Sequence, residues 1–381
     1  MSDARQPTAL LFANTDWYLY NFRLPLARAV RNAGYRVHLV SPPGPYAKLM
    51  VADGFEWHAF DFARHGVNPI GELGTVARLV ALYRRIRPTH CHHFTIKCVL
   101  YGTFSARRAG VRKIINAITG RGYVFVARSR RMAALRHPIV GLYRLLLRGT
   151  DVIFQNDEDR RAFADAGLLG AARAHLIRGS GVNIARFQPD LHRRFDRARL
   201  SILFASRLLL EKGVVELVEA ARLLSERKVD VIVRIAGQPD PGNPRSVPQA
   251  TLDAWARLPG IELLGHRDDI APLLAQADVV ALPTSYGEGI PRILIEAAAA
   301  GLPLVATDVP GCRDIVRPGE NGILVPERDA VALADALQRL AQDPALRERM
   351  SARSRAIACS EFAEDQVLAA TLAIYRELAN A

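Results

Sequence analysis

Strand-length apolar runs alternate with segments of helical periodicity in this sequence, and this alternation restricts the fold more than any other feature. Residues 8–13 predict a strand, residues 20–33 carry apolar side chains at helical spacing, and residues 35–40 predict a second strand. A strand, helix and strand in this order form a parallel pair joined by a right-handed crossover. We therefore expect a parallel sheet covered by helices at the N-terminal end.

The alternation starts again after a turn-rich segment at residues 179–189. Further strands are predicted at residues 201–205, 229–236, 261–264 and 279–282. A chain of 381 residues is also too long for one ordinary core. We therefore expect an α/β protein with two doubly wound, Rossmann-like domains that face each other across a cleft.

The break in the pattern sets the expected domain boundaries. The predicted N-terminal domain covers residues 1–186, and the predicted C-terminal domain covers residues 187–361. Residues 362–381 are predicted to form a last helix that packs back on the N-terminal domain.

Charge is distributed unevenly between the two halves. Residues 1–190 hold 28 basic and 12 acidic side chains, whereas residues 191–381 hold 23 and 26, so the net charge of +13 comes from the N-terminal half. No carboxylate side chain occurs between Glu72 and Asp151. Such a basic surface is attracted to anionic lipid headgroups or polyphosphate. The alternative is a coding bias toward arginine, because 46 of the 51 basic residues are Arg.

Residues 124–148 form the most basic amphipathic segment. The segment has two interpretations. It is either a surface helix that lies on lipid or a helix whose apolar face packs on the core and whose basic face is exposed to solvent. Its apolar side comprises Met132, Leu135, Ile139, Leu142 and residues 145–147.

Several protein classes are disfavoured. The four cysteines are scattered without a CxxC pair, which predicts reduced thiols in a cytoplasmic protein. Residues 1–7 are polar and do not resemble a signal peptide. No apolar stretch reaches the roughly 20 residues of a spanning helix. The first strand-to-helix junction also lacks the GxGxxG dinucleotide fingerprint.

Residues 281–296 carry the strongest chemical signal. An apolar run at 279–282 predicts a buried strand, and Pro291 lies where the first turn of a helix tolerates proline. Glu288 precedes that helix, and Glu296 lies about one and a half turns inside it. The backbone N–H groups near residues 290–293 suit a phosphate or a polarised sugar oxygen. The alternative is that Glu296 only caps or solvates the helix.

Polar residues also follow two predicted strands of the N-terminal domain. Residues 14–23 open at the carboxyl end of the first strand, where open α/β sheets bind ligands. His90, His92 and His93 lie on a later strand, where alternating histidines are compatible with a metal site. Because the sequence offers no third ligand nearby, we expect these histidines to form hydrogen bonds or to face the acceptor rather than to bind a metal. The flexible loop at 119–123 suits close approach to a ligand.

These motifs together resemble those of the retaining, two-domain glycosyltransferases of family 4, which have the GT-B fold. The resemblance covers essentially the whole chain. The residues of the C-terminal half that carry it are Ser206-Arg207, Lys212-Gly213, Glu288 with Glu296, and the turn from Gly311 to Asp314. Asn21-Phe-Arg23, Thr95-Ile-Lys97 and the 119–123 loop narrow the resemblance toward bacterial enzymes that glycosylate polyprenyl-diphosphate-linked glycans. These include N-acetylgalactosaminyltransferases and O-antigen or capsule enzymes.

The resemblance implies roles for the C-terminal residues. Arg207 and Lys212 match the basic pair that holds the nucleotide diphosphate, Glu296 the carboxylate that binds the ribose hydroxyls, and Glu288 the acid beside the transferred sugar. The donor-binding segment implied around them comprises Gly289, Ile290, Pro291, Arg292 and Ile293. The family works without a metal, so the resemblance implies no metal and no cofactor. The alternative for Arg207 and Lys212 is a surface ion pair with Glu211 or Glu216.

The N-terminal half departs from the family pattern. Many relatives place a histidine in the stretch that matches residues 114–119, facing the anomeric carbon, and this sequence has none there. The family's retaining reaction is described as a front-face attack in which the leaving phosphate takes the acceptor proton, so the function does not require this histidine. The acceptor-side candidates are Asn14, Asp16, Arg23, His92, Lys97, Thr119 and Arg121.

The resemblance and the residues lead to one functional hypothesis. We expect transfer of a hexose or N-acetylhexosamine from a nucleotide diphosphate sugar, UDP-linked rather than GDP-linked, to a polyprenyl-diphosphate-linked or other membrane-associated glycan. The basic N-terminal domain is expected to contact an anionic membrane from the cytoplasmic side, and no nucleic-acid partner is expected. The alternatives are a soluble acceptor, sugar-nucleotide epimerase activity, or a non-catalytic lipid or nucleic-acid binder.

Overall fold

A computed structural model of the chain describes residues 6–62, 69–120, 140–190, 195–196, 199–286 and 289–380. The chain divides into two compact units, each described by itself. Unit 1 comprises Met1–Ser180 together with Val367–Ala381, and unit 2 comprises Gly181–Gln366.

In the described part of unit 1, seven parallel strands form one sheet in the order β3-β2-β1-β4-β5-β6-β7. The strands are β1 (Thr8–Phe12), β2 (Arg36–Ser41), β3 (Glu56–Ala59), β4 (His90–Phe94), β5 (Lys113–Ile118), β6 (Asp151–Phe154) and β7 (Arg173–Leu176). The helices are Asp16–Tyr18, which continues as the π-helix Leu19–Arg23, and then Leu24–Asn32, Ala47–Ala52, Pro69–Ile86, Ile96–Arg108, Asp157–Asp165 and Glu364–Asn380, with residues 140–147 also helical.

In the described part of unit 2, six parallel strands form a sheet in the order β10-β9-β8-β11-β12-β13. The strands are β8 (Leu200–Ala205), β9 (Val231–Ala236), β10 (Ile261–Gly265), β11 (Val279–Leu282), β12 (Leu304–Thr307) and β13 (Gly322–Val325). The helices are Val214–Glu226, Gln249–Trp255, Ala271–Gln276, Arg292–Ala299, Cys312–Ile315, Ala330–Gln342 and Pro344–Glu361.

Most of the central strands are apolar because helices cover both faces of each sheet, and β4, with its three histidines, is the exception. All four residues of β11 and almost all of β1 are buried, as expected for parallel strands. In each sheet the strand order reverses once, between β1 and β4 in unit 1 and between β8 and β11 in unit 2. The predicted fold class of two doubly wound α/β sheets is confirmed. Open α/β sheets bind ligands beyond the carboxyl ends of the strands at such reversals.

The helix Glu364–Asn380 supplies part of the core of unit 1. Its side chains Val367, Ile374, Tyr375 and Leu378 are buried in the same apolar cluster as residues of β1 and β2. The Tyr375 hydroxyl lies 3.2 Å from Nδ1 of His92 in the middle of β4. Unit 1 is therefore built from two stretches of chain that lie far apart in sequence.

The basic amphipathic segment falls partly outside the described residues, which exclude 121–139. In its described part, Tyr143, Leu146 and Leu147 are buried in the core, while Leu145 is exposed. Among the described residues, no helix has the length and apolar character needed to cross a membrane. All four cysteines are free thiols, and three of them are buried.

Candidate active site

The reversal of strand order in unit 2 brings the loops that follow β8 and β11 to the same sheet edge. The β8 loop carries Arg207 and Lys212, and the β11 loop leads into the helix Arg292–Ala299, which carries Glu296. Because β8 and β11 are adjacent parallel strands, both loops start from neighbouring carboxyl ends. The predicted donor-site residues therefore emerge at one edge of one sheet.

Lys212 lies in a buried turn after β8. It ends the short 3₁₀ turn Leu210–Lys212, and only 8% of its surface is exposed. Gly213 then takes a left-handed conformation with φ 76° and leads into the helix Val214–Glu226. A Cβ atom at Gly213 would come within 1.9 Å of the Pro283 carbonyl oxygen. Only glycine fits at this close approach of the two loops.

Hydrogen bonds join the Lys212 turn to the loop after β11. The Glu211 carbonyl accepts from the Ser285 backbone N–H at 2.8 Å and from the Thr284 hydroxyl at 3.0 Å. The Thr307 hydroxyl at the end of β12 donates to the Thr284 carbonyl. Thr284 and Thr307 are completely buried. The loop after β11 therefore fixes the position of the Lys212 turn, and the end of β12 in turn holds that loop.

Arg207 is more accessible than Lys212. Its side chain is 61% exposed, and its Nη1 donates to Asp240 Oδ2 at 2.7 Å. The acid that pairs with Arg207 thus comes from the loop after β9. The ion pair with Glu211 or Glu216, which the sequence left open as an alternative for Arg207, is not the one that Arg207 forms with Asp240. An exposed ion pair is worth about 0–1 kcal/mol, so an anion can displace Asp240 from Arg207 at little cost.

The helix Arg292–Ala299 begins in buried surroundings. Gly289, Ile290 and Pro291 are buried, and Pro291 forms the N-cap. The first N–H groups of a helix, here those of Arg292 and Ile293, have no partner within the helix and favour anions. Glu288, the acid predicted beside the transferred sugar, lies outside the described residues.

Glu296 is a buried carboxylate with one arginine partner. It is 8% exposed, and its Oε1 accepts from Arg292 Nε at 2.6 Å. Burial raises the pKa of Glu296, although Arg292 acts in the opposite direction. Glu296 is therefore not a solvent-exposed residue of the helix, which was the alternative interpretation of the sequence. The arrangement suits a carboxylate that accepts hydrogen bonds from hydroxyl groups.

In unit 1, Asp16 follows β1 and binds backbone N–H groups. One carboxylate oxygen accepts from Trp17 at 2.8 Å, and the other accepts from Tyr46 at 2.8 Å and from Ala47 at 3.2 Å. Its carboxylate therefore links the β1 loop to the loop after β2. Asn14 is half-buried in the same β1 loop.

Arg23 and His92 line the same small cavity. Arg23 donates to the Tyr18 hydroxyl at 2.8 Å and lies over the Phe94 ring at 4.6 Å. Burial, with smaller contributions from Arg23 and His93, holds the pKa of His92 well below its usual range, so the ring is neutral. The cavity has a volume of about 10 Å³, which is enough for one water molecule.

The three histidines of β4 are hydrogen-bonded, as the sequence favoured. His93 Nδ1 lies 2.9 Å from Asn116 Oδ1, and His90 Nδ1 lies 3.0 Å from Thr89 Oγ1. Within the described residues, these histidines belong to no group with metal-ligand geometry.

The remaining acceptor-side candidates follow β4 and β5. Lys97 Nζ donates to Glu72 Oε1 at 2.8 Å. The preceding residue Thr95 has φ 71°, a strained conformation for a β-branched residue and one found mostly at functional sites. Thr119 is half-buried after β5, and Arg121 lies outside the described residues.

The sequence did not indicate three residues that support the site. Asp240, Thr284 and Thr307 lie in loops or at strand ends far from Arg207 and Lys212 along the chain. Thr284 falls inside the motif at 281–296, but neither its spacing nor its type indicated a bond to the Lys212 turn.

Two family models match the chain, one in each half. The model described as "Glycosyl transferase 4-like" matches residues 9–157, and the model described as "Glycosyl transferases group 1" matches residues 199–343. Together they span every described strand except β7, as well as the site elements of both units.

Bacterial relatives align over most of the chain. The N,N'-diacetylbacillosaminyl-diphospho-undecaprenol alpha-1,3-N-acetylgalactosaminyltransferase of Campylobacter jejuni is 25% identical over 86% of this chain and 88% of its own length. The capsular polysaccharide biosynthesis glycosyltransferase CapM of Staphylococcus aureus is 23% identical over 87% of this chain and 88% of its own length.

Solved structures share the fold at low identity. A glycosyltransferase from Rickettsia africae superposes with a TM-score of 0.79 at 17% identity, covering 98% of this chain and 99% of the other. Anabaena HepE in complex with UDP superposes with a TM-score of 0.77 at 19% identity, covering 98% and 100%. With the fold, the site elements and both family models in agreement, this chain is a glycosyltransferase of the GT-B fold and belongs to the group 1, family 4-like glycosyl transferases.

Proposed function

We propose that this enzyme transfers a hexose or N-acetylhexosamine from a UDP-linked sugar to a polyprenyl-diphosphate-linked glycan, with retention of the anomeric configuration. The bond between the anomeric carbon and the diphosphate oxygen breaks, and a bond to an acceptor hydroxyl oxygen forms. The acceptor proton passes to the leaving diphosphate, which balances the reaction without a protein base.

The observation that carries this proposal is the buried Lys212 turn held beside the loop that leads to Glu296. A leaving diphosphate develops negative charge, and preorganised cationic and N–H donors stabilise that charge. Lys212 supplies a fixed ammonium and Arg207 an accessible guanidinium. Glu296 supplies a buried acceptor for the ribose hydroxyls. Glu288 is assigned to the transferred sugar by its place in the motif.

The relatives support the choice of substrates. The Campylobacter jejuni relative is named for a diphospho-undecaprenol acceptor, and the Staphylococcus aureus relative for capsular polysaccharide biosynthesis. Anabaena HepE has been solved with UDP and with UDP-glucose. We assign the charge compensation to Arg207 and Lys212, so the proposed reaction includes no metal.

Substitutions in unit 2 test the donor site. Lys212→Met and Glu296→Gln should each lower kcat/KM for sugar transfer by about 100-fold, the usual loss when one preorganised donor or acceptor is removed. Lys228→Met is the matched control, because Lys228 is an exposed lysine of the same unit. If Lys212→Met and Glu296→Gln both bound UDP and transferred sugar like the wild type, the donor site would be misassigned.

A thermal-shift series identifies the donor. The nucleotide sugar that is the true substrate should stabilise the protein most, since ligand binding to the folded state raises the melting temperature. UDP-linked sugars should stabilise more than GDP-linked sugars. Greater stabilisation by GDP-linked sugars would contradict the proposed nucleotide.

The proposed acceptor places the basic N-terminal half at an anionic membrane on the cytoplasmic side. Vesicles that contain anionic lipid should co-sediment the protein at low salt, and high salt should release it. Equal binding to neutral vesicles, or no binding to either kind, would contradict the membrane contact while leaving the donor-site proposal intact.

A further inference from the structure

Two histidines and a glutamate meet at the edge of the unit 1 sheet. His38 lies on β2, and Glu56 and His58 lie on the neighbouring edge strand β3. The parallel register pairs His38 with Glu56 and Val40 with His58. The three side chains therefore come from adjacent strands, and none of them is among the candidate catalytic residues.

The distances within this cluster fit a metal ion. His38 Nδ1 lies 2.8 Å from His58 Nε2 and 3.6 Å from Glu56 Oε2. All three ligand atoms lie within 4.8 Å of one another. A tetrahedral Zn²⁺ with nitrogen and oxygen ligands at about 2.0–2.1 Å requires ligand atoms about 3.3 Å apart. The 3.6 Å separation is close to that value, whereas the 2.8 Å separation is a hydrogen bond between the two rings, which an ion has to replace by moving the nitrogens about 0.5 Å further apart.

A further contact orients the carboxylate. Arg36 donates to Glu56 Oε1, and Oε2 is the atom that lies near His38. Hydrogen bonds that hold a ligating carboxylate in place are a regular feature of metal sites. The two imidazole rings are stacked, with centroids 5.1 Å apart and an interplanar angle of 22°.

The surroundings of the cluster indicate that it binds an ion weakly and remains open to solvent. Arg36 and Arg85 lie near the cluster, and their positive charges oppose a cation. The Glu56 side chain is 44% exposed, which leaves a fourth position open to solvent. An exchangeable ion is therefore expected.

We propose that His38, Glu56 and His58 bind one divalent transition-metal ion of the zinc type. The ion takes two imidazole nitrogens and one carboxylate oxygen from the protein and completes its coordination with water. Its binding fixes the edge strand β3 to β2 and stabilises unit 1. This site is separate from the metal-free sugar transfer proposed above.

The test uses the untagged full chain after chelator treatment. Calorimetric titration with Zn²⁺ should give one equivalent bound, and Co²⁺ should give the visible absorption of a low-symmetry site. Zn²⁺ should also raise the melting temperature. His58→Ala and Glu56→Gln should each weaken Zn²⁺ binding at least 10-fold, the size of effect expected when a ligand or its support is lost.

His266→Ala is the matched control. His266 is a surface histidine paired with Asp268 at 3.2 Å, and its loss should leave Zn²⁺ binding unchanged. Glu56→Gln preserves the shape of the side chain, and circular dichroism of both variants checks that they are folded. Failure of the wild-type chain to bind Zn²⁺, or binding that survives in both folded variants, would overturn the proposal and identify the cluster as a hydrogen-bonded histidine pair only.

Discussion

Gly213 and the Pro283 carbonyl oxygen approach so closely that a Cβ atom at Gly213 would lie 1.9 Å from that oxygen. This contact joins the turn after β8 to the loop after β11, and Lys212 directly precedes it. The position of Lys212 therefore depends on the absence of a side chain at its neighbour.

Gly213→Ala should destabilise unit 2 and reduce sugar transfer together. The new methyl group has to push the two loops apart, and the left-handed backbone adds about 1–2 kcal/mol. We expect a total loss above about 3 kcal/mol, of the size seen for severe overpacking with strain. Chemical denaturation and initial transfer rates measure both effects.

Gly319→Ala is the control for this experiment. Gly319 has φ 79°, but a Cβ atom added there would meet no other atom within 4 Å, so alanine adds only the backbone strain. Equal losses for the two variants would show that the contact with Pro283 has no influence on stability.

Thr284→Val should weaken donor binding more than it weakens the fold. The substitution removes the hydroxyl that donates to the Glu211 carbonyl while keeping the volume of the side chain. The carbonyl still accepts from Ser285, so we expect a cost of about 1 kcal/mol and a raised KM for the nucleotide sugar. Ser285→Ala should change KM less, since its hydroxyl lies 3.5 Å from the same carbonyl and binds it only weakly. Steady-state kinetics compare the KM of the two variants, and an equal KM in both would contradict this role of the Thr284 hydroxyl.

Asp151→Asn should loosen the edge strand β7. Asp151 is buried on β6 and binds Arg173 at 2.8 Å and His175 at 2.7 Å. We expect a loss of about 2 kcal/mol, typical of hydrogen bonds to a charged group, and faster hydrogen exchange in β7. Asp157→Asn, which removes only solvent-accessible pairs within one helix, should cost less than Asp151→Asn. Unchanged exchange in β7 would contradict this role.

The Asp151 carboxylate also predicts a pH effect. Burial alone would raise its pKa, but hydrogen bonds from His175 and Arg173 outweigh burial and lower the pKa overall. Its contribution to stability is therefore complete above its unfolded pKa of about 3.9 and is lost as the pH falls further.

Unit 1 should lose stability between pH 6.5 and 4 through its buried histidines. Burial lowers the pKa of His90 and of His93 to about 4. The unfolded chain therefore binds more protons than the folded chain throughout this interval, so acid favours unfolding. Each histidine accounts for at most about 3 kcal/mol.

Denaturant titrations at several pH values measure the histidine effect. His90→Gln should reduce the slope of stability against pH, whereas His266→Gln, at an exposed position, should not. An unchanged slope in His90→Gln would assign the acid sensitivity to other groups.

The sequence predicted the central strands well, because strands buried on both faces are continuous apolar runs. It did not predict β3, whose Glu56 is exposed on the edge strand. It also did not predict the helix Ile96–Arg108, because the buried Thr103 and Ser105 interrupt its apolar periodicity. In both cases the tertiary environment, rather than local pattern, decides the structure.

The same distinction holds for the sites. Arg207, Lys212 and Glu296 were predicted as donor-site residues because their spacing resembles a known motif. Asp240 was not predicted, because its contact with Arg207 depends on the position of β9 beside β8 in the sheet, and the sequence motif contains no sign of it. The His38, Glu56 and His58 cluster likewise depends on the register between β2 and β3, which a single sequence does not specify.

The helix Glu364–Asn380 has a consequence for synthesis of the protein. A ribosome completes the seven described strands of unit 1 and residues 181–363 of unit 2 before it adds this helix. Until then, the apolar surface that receives Ile374 and Leu378 stays uncovered, and His92 lacks its Tyr375 partner. We expect unit 2 to reach its native state first during translation, and unit 1 to complete its core only when this helix docks.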